Sequence, residues 1–359
     1  MIRRAAAASS ARMPRMKKVL LGVLILLLLV VIGGISMVGW QVVLGPKARA
    51  VTNRTFERTE ARRARGEYLV ENVATCFHCH SEPDPADPSG GIKAGMKGAG
   101  WELPIPELGH VVAPNITQDV ETGIGGWTDD EIARAIQEGV NKSGAALFPV
   151  MPYLNFRDLD DEDLASIVVY LRTIPAVKHQ LARTQLIFPL SLLVKTMPVP
   201  LASHDPKPAP VRATAVDRGE YLVKKLADCS GCHSPADDQG QPLPGMAFSG
   251  GGEFPDIFNR HEGKPFHSLN ITTDPSGIAH YDEALFVQTI RTGLAGGRAL
   301  NPVMPYSYYR RMTDDDLKDV FAFLQAQPKV QHRVSNTDPA TPCPLCKKTH
   351  GLGELNKAK

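Results

Sequence analysis

The chain has 359 residues, long enough for two or three domains, and a formal net charge of +2, which excludes the global basic field that nucleic acid requires. Aromatic residues make up only 6%, while Gly and Pro number 31 and 29. That balance suits small domains whose long loops wrap around something other than their own side chains.

In chain order, residues 1–18 carry Arg3, Arg4, Arg12, Arg15, Lys17 and Lys18 and no acid. Val19 to Leu44 then runs 26 residues without a charge. As a helix this is roughly 39 Å long, enough to cross a hydrocarbon core of about 30 Å with some tilt. Ala48-Arg49-Ala50 has the form of a signal-peptidase site, but the apolar region of a cleaved signal is only about 7–15 residues. The reading is therefore a basic cytoplasmic N-terminus over 1–18 and an uncleaved, single-pass transmembrane signal anchor over 19–44. A juxtamembrane segment, 45–59, follows. Residues 45–65 are also basic, with Lys47, Arg49, Arg54, Arg58, Arg62, Arg63 and Arg65 against Glu57 and Glu60, so the positive-inside rule alone does not orient the anchor.

The body of the chain is an internal repeat. Arg65-Gly66-Glu67-Tyr68-Leu69-Val70 recurs as Arg218-Gly219-Glu220-Tyr221-Leu222-Val223, an offset of 153. Asn115-Ile116-Thr117 recurs as Asn270-Ile271-Thr272, and Pro149-Val150-Met151-Pro152-Tyr153 as Pro302-Val303-Met304-Pro305-Tyr306. The two halves read as homologous domains, 60–178 and 212–332. Each reads as mainly α. A short first helix carries Tyr68 or Tyr221. A middle helix of the first half begins at Thr128, with Glu131 placed for a capping box. A last helix starts near Asp160, with its counterpart at Thr313. The Pro- and Gly-dense stretch between first and middle helices reads as loop.

Each first helix runs into a C-x-x-C-H pentapeptide, Cys76-Phe77-His78-Cys79-His80 and Cys229-Ser230-Gly231-Cys232-His233. This is the attachment motif of c-type haem. Two thiols separated by two residues reach the two vinyl groups on one edge of a porphyrin, and the following histidine is held under the iron. Neither motif has the second Cys/His pair that zinc would need. The expected cofactors are two covalently attached haem c groups, bound through Cys76, Cys79, Cys229 and Cys232, with His80 and His233 on iron. Bacterial c-type haem is attached on the outer side of the inner membrane, which puts both haem domains in the periplasm.

Met151 lies 71 residues after His80 and Met304 lies 71 after His233, both between prolines that fix an extended loop. These two are the expected sixth ligands. Met96, Met197, Met246 and Met312 have no counterpart in the other half and read as core filler. His110 is the competitor for the first iron, and His78 reads as a surface residue. The Pro-rich linker, 179–211, contains Leu186-Ile187-Phe188-Pro189-Leu190, an apolar run too short and broken to span a bilayer. It is expected to pack against a domain, with the membrane surface as the alternative. The tail, 333–359, carries Cys343-Pro344-Leu345-Cys346-Lys347. Three readings stand for it: a disulfide or free pair in a surface tail, a metal site using His350 and a further ligand, or a relic haem site with Lys347.

The order C-x-x-C-H, Asn-Ile-Thr, Gly-Ile-Gly-Gly-Trp-Thr-Asp-Asp-Glu (123–131), Met-Pro-Tyr, then Asp-Leu-Ala-Ser-Ile-Val-Val-Tyr-Leu-Arg (163–172) resembles the cytochrome c subunits of bacterial membrane-bound alcohol, aldehyde and gluconate dehydrogenases. The resemblance implies two tandem class I cytochrome c domains behind the transmembrane helix, with the motif residues and both Met-Pro-Tyr methionines as haem ligands. It implies electron transfer from a periplasmic or membrane dehydrogenase toward a respiratory-chain acceptor, the partners being a dehydrogenase subunit, a soluble cytochrome, or a quinone-linked complex or oxidase. The family's members typically carry three haem motifs; this chain carries two. The reading is a non-catalytic carrier or the cytochrome subunit of a dehydrogenase complex. The alternative is a dihaem redox enzyme, such as a peroxidase or a thiosulfate-oxidising cytochrome. A haem sensor of small gases is a third class, with no signalling domain behind it.

Overall fold

The computed structural model describes residues 15–202, 208–237, 240–258 and 260–357; Arg3, Arg4 and Arg12 of the basic N-terminus lie outside them. The first helix, Arg15–Val38, is 24 residues long, and none of its apolar stretch, Arg15–Ser36, is buried against the rest of the chain. The uncharged run does not continue as one helix to Leu44. Gly39 takes a φ of +101° and breaks it, and a single turn, Gln41–Leu44, follows.

Beyond residue 59 the chain builds the same arrangement twice. In the first half, the leading helix Glu60–Tyr68 passes through a π-turn, Leu69–Val73, into the motif turn Cys76–Cys79. The middle helix Asp129–Glu138, a short helix Tyr153–Phe156 and the last helix Asp161–Leu171 complete it. The second half repeats these as Ala215–Tyr221, Leu222–Leu226, Cys229–His233, Glu283–Thr292, Tyr306–Tyr309 and Asp314–Gln325. The caps follow from the residue types. Thr128 accepts from the Glu131 amide while the Glu131 side chain accepts from the Thr128 amide, and Thr313 accepts from the Asp316 amide. Asp160 stands before the last helix of the first half, but its carboxylate turns to Arg212 at 2.7 Å instead of capping.

Leading and last helices cross at a glycine in each half. A Cβ on Gly66 would fall 1.9 Å from the Ser166 carbonyl oxygen, and one on Gly219 would fall 1.9 Å from that of Asp319. Arg65 and Arg218, one residue earlier, pair with Asp163 and Asp319 of the helix they cross, at 2.8 and 2.6 Å. The core built on these crossings is continuous through both halves, from Phe56 and Leu69 to Phe323 and Leu324.

The halves are also joined by a reciprocal exchange. Tyr68 donates its hydroxyl hydrogen to Asp316 of the second half, and its oxygen accepts from the Thr313 amide at 3.0 Å. Tyr221 donates to Asp163 of the first half at 2.9 Å and accepts from the Asp160 amide at 3.1 Å. All three positions are related by the offset of 153 found in the sequence. Each tyrosine thus closes an orphan amide at the start of the other half's last helix.

The loop between motif and middle helix holds some strand. Trp101–Leu103 pairs antiparallel with Gly109–Ala113, with Leu103 opposite Val111, and Gln185–Leu186 of the linker adds a third strand opposite Gly109 and His110. The linker's apolar run is therefore divided. Leu186 joins the sheet, while Phe188 is 78% exposed and Ile187 and Leu193 are about half exposed. The next turn, Val194–Thr196, lies beside Gln41–Leu44, where the Lys195 ammonium donates to the Val42 carbonyl at 3.1 Å.

The basic juxtamembrane segment is an internal strap. Arg49 pairs with Asp130 at 2.7 Å and Glu138 at 2.6 Å, on the middle helix, with all three side chains buried. Arg54 meets Asp161, Arg58 meets Asp129 and Arg62 meets Glu162. Burial alone would raise the Asp130 carboxyl, but hydrogen bonds from Arg49 and Thr52 outweigh it and hold the group below its ordinary value. Its contribution to stability is present above that ordinary value and is lost as the pH falls below it.

The tail's cysteines are a free pair, but not one on the surface. Cys343 and Cys346 are buried at 3% and 1% exposure, and their sulfurs are unbonded. Ser335–Pro342 pairs with Thr349–Gly351 around them.

Candidate functional site: two haem crevices

The helix before each motif is widened by a π-turn, and the residue preceding the first cysteine is left-handed in both halves, Thr75 and Asp228 each at φ +47°. A side chain rarely adopts that conformation without compensation. Here it turns the chain so that Cys76 and Cys79 share one helical turn with His80 as its cap, and Cys229 and Cys232 share one that runs on through His233 to its cap at Ser234. In the second half the Asp228 carboxylate accepts from the Gly231 amide at 3.1 Å and holds the turn.

Both histidines are oriented from behind. His80 Nδ1 lies 2.7 Å from the Pro114 carbonyl, and His233 Nδ1 lies 2.8 Å from that of Leu269. A carbonyl only accepts, so Nδ1 carries the hydrogen and Nε2 keeps its lone pair free for a metal. Burial pushes both imidazoles down, only partly opposed by these hydrogen bonds, so they stay neutral as iron requires.

The Asn-Ile-Thr repeat anchors these carbonyls. Asn115 Oδ1 accepts from the Thr117 amide and hydroxyl at 2.9 and 2.7 Å, and its amide donates to the Val177 carbonyl at 2.8 Å. Asn270 makes the same bonds to Thr272 and Val330 at 2.9, 2.8 and 2.9 Å. The loop behind each histidine is thereby stapled to the chain leaving the last helix.

Met151 and Met304 sit in matching bends, where the Tyr153 and Tyr306 amides donate to the methionine carbonyls at 2.7 Å. Each bend is seated on the end of the middle helix. Gly139 and Gly293 close that helix in the left-handed conformation, and a Cβ there would strike the ring of Tyr153 at 2.6 Å or Tyr306 at 2.3 Å. Met151, Met304, Cys76 and Cys229 are partly buried against the common core, with Trp127, Ile116 and Ile271. Tyr153 Oη and Asn301 Nδ2, beside the two bends, are buried without a hydrogen-bond partner. Partly covered apolar walls, free imidazole nitrogens, free thiols and orphaned polar atoms fit a haem. Cys79 and Cys232 face the open side of the crevices and are exposed, yet surrounding chain still desolvates them and pushes their thiols up to about 11 and about 12.

Two histidines are not where the sequence suggested. His78 is not a surface residue; its ring is half-buried edge-on against Tyr308 of the other half, 5.7 Å between centroids. The signal in the sequence was position alone, since the first motif must lie near the join if the halves pack motif to motif. His110 stands on the central strand of that sheet with its side chain 64% exposed, and its Nδ1 is 2.5 Å from Glu102. Its ring is spent on that surface contact. The motifs themselves are neighbours, since the His78 ring of the first motif meets Tyr308 and the Tyr309 hydroxyl donates to the Ala227 carbonyl just before the second.

Residues 216–328 match the family model described as Cytochrome c. That stretch holds the second C-x-x-C-H turn and Met304, and the family it matches carries covalently bound haem c. It is 30% identical over 274 residues to the "Fructose dehydrogenase cytochrome subunit" of Gluconobacter japonicus, covering 74% of this chain and 52% of that one. It is 28% identical over 312 residues to the "Alcohol dehydrogenase (quinone), cytochrome c subunit" of Gluconobacter oxydans, covering 81% of this chain and 61% of the other. It is also 25% identical to the "Diheme cytochrome c-type" of Cereibacter sphaeroides over 75% of this chain and 86% of that protein. The chain therefore spans only about half to three fifths of these two dehydrogenase subunits.

Proposed function

We propose that the chain is a membrane-anchored dihaem cytochrome that passes electrons from a periplasmic or membrane dehydrogenase toward a respiratory-chain acceptor, its two halves being tandem class I cytochrome c domains. The observation that carries this reading is the repetition of one complete ligand-holding apparatus in both halves. Bound haem would supply a one-electron Fe(III)/Fe(II) couple at each site. Cys76, Cys79, Cys229 and Cys232 would hold the two macrocycles, with His80 and His233 on one face of iron and Met151 and Met304 on the other. A second protein ligand on each iron leaves no position for substrate, which favours a carrier over a peroxidase. The reciprocal tyrosine bonds and the contact of His78 with Tyr308 support short passage between the two sites, because they hold the motifs against one another.

Two features support anchoring through Arg15–Val38. Cleavage after Ala50 would remove Arg49 and leave Asp130 and Glu138 buried without their cation, a loss of about 3–5 kcal/mol. At the foot of the helix, Trp40, Val43, Leu44 and Phe188 expose apolar surface of the kind that seats in a membrane interface. The expected result is that the protein stays in the membrane pellet after an alkaline carbonate wash, with Arg49 present and two haems per chain by intact mass. Recovery of a soluble form beginning near Val51 would overturn the anchor, and a haem count other than two would overturn the dihaem reading.

A further inference from the structure

The structure assigns a metal site to the tail: we propose that His332, Cys343, Cys346 and His350 bind one structural zinc ion. Their donor atoms lie within 4.8 Å of one another, and all four residues are buried. Cys343 Sγ is 3.5 Å from His332 Nε2, and Cys346 Sγ is 3.3 Å from His350 Nε2. A tetrahedral zinc with bonds of about 2.0–2.3 Å sets its donors about 3.3–3.8 Å apart. Two sulfurs and two imidazoles are a donor set that selects zinc among divalent ions, and four protein donors leave no open position.

The rings are prepared from behind. His332 Nδ1 is bonded to the Ser249 carbonyl at 2.9 Å and His350 Nδ1 to that of Gly351 at 3.0 Å. Both Nδ1 atoms therefore carry the hydrogen, and both Nε2 lone pairs face the thiols. The cysteines sit on a tight knuckle, where the Cys343 amide donates to the Lys348 carbonyl at 2.8 Å, the Lys347 amide donates to the Cys343 carbonyl at 3.0 Å, and Lys347 is left-handed at φ +61°. Asn356 donates to Cys343 Sγ at 3.5 Å, a second contact that fixes this sulfur's position. Gly251 makes room for the His332 ring, since a Cβ would fall 2.9 Å from its Cε1.

The repeat shows what is added. His179 is the counterpart of His332, and its Nδ1 bonds the Ala99 carbonyl at 3.0 Å, the same backbone role. Leu190, Leu193 and Met197 stand at the positions that correspond, by the offset of 153, to Cys343, Cys346 and His350. The second half thus turns a structural histidine into a ligand by adding three donors. The need is clear from the tail's own packing. A two-stranded hairpin is marginal alone, and among the described residues the apolar cluster around its cysteines is small: Met246, with Leu243 and Leu345 partly buried. A metal supplies the missing core of so small a unit.

The test is metal analysis with zinc K-edge X-ray absorption on the full-length, detergent-purified protein, expressed with zinc and purified without chelators. One zinc per chain is expected beside the haem iron, in a shell of two sulfurs near 2.3 Å and two nitrogens near 2.0–2.1 Å. Cys343→Ser and His350→Gln should each lower zinc content at least tenfold, while His179→Gln leaves it unchanged. If the serine variant does not accumulate, the absorption spectrum of the unaltered protein decides alone. Zinc below a tenth of an equivalent, a shell without two sulfurs, a different stoichiometric metal, or a Cys343–Cys346 disulfide in unreduced peptides would each overturn the assignment.

Discussion

Met151→His should keep the first haem six-coordinate and lower its midpoint potential by a sizeable fraction of the roughly 0.8 V over which axial ligands move haem iron. A thioether stabilises the reduced iron relative to a nitrogen donor, and the bend that presents Met151 is fixed by Pro149, Pro152 and the Tyr153 ring packed on Gly139. Met151→Ala should instead leave an open face that binds carbon monoxide after reduction. The same substitutions at Met304 should act on the second haem alone, because each bend is seated on its own middle helix. Redox titration of each single variant, with carbon monoxide difference spectra, reads both effects. If Met151→Ala left the potentials and the gas reactivity unchanged, Met151 would not be the ligand. His110, held against Glu102 on the central strand of the small sheet, would offer no ready substitute.

Gly66→Ala should cost more than about 4 kcal/mol, at the extreme of single substitutions. The added methyl would fall 1.9 Å from a backbone oxygen of the last helix, where no side chain can swing aside. The crossing would have to open, and with it the packing of Leu69 and Val70 beneath the motif turn. Gly219→Ala should do the same in the second half. Gly126→Ala is the control, since its nearest neighbour would be the Val120 carbonyl oxygen at 3.4 Å, an ordinary contact. Thermal unfolding followed by far-ultraviolet dichroism should show both crossing variants strongly destabilised and the control near the parent protein. Equal midpoints for all three would mean that the helices do not cross at these glycines.

Features written in local spacing were legible in the sequence: the apolar run, the Thr128–Glu131 capping box, both C-x-x-C-H turns and the paired Met-Pro-Tyr bends. What was not legible depends on residues far apart in the chain. Tyr68 and Asp316 are 248 positions apart, and nothing near Tyr68 announces its partner. Arg49 reads as one more juxtamembrane cation until it is seen buried between Asp130 and Glu138. The surroundings of the tail's cysteines were illegible for a related reason. Cys343 and Cys346 were visible as a pair, but His332 lies outside the tail and resembles the ordinary structural histidine of the first half, His179. The weak strands at 101–113 escaped because short edge strands in a Gly- and Pro-rich loop leave no clear alternation.

The central claim is that two closed, six-coordinate haems lie in one membrane-bound carrier. Spectroscopic redox titration of the intact, detergent-extracted chain, repeated under carbon monoxide, tests it most directly. The account predicts two one-electron steps of equal amplitude and a reduced spectrum that carbon monoxide does not change. A single step of one haem's amplitude, or a reduced haem that takes up the gas in the unaltered protein, would contradict it.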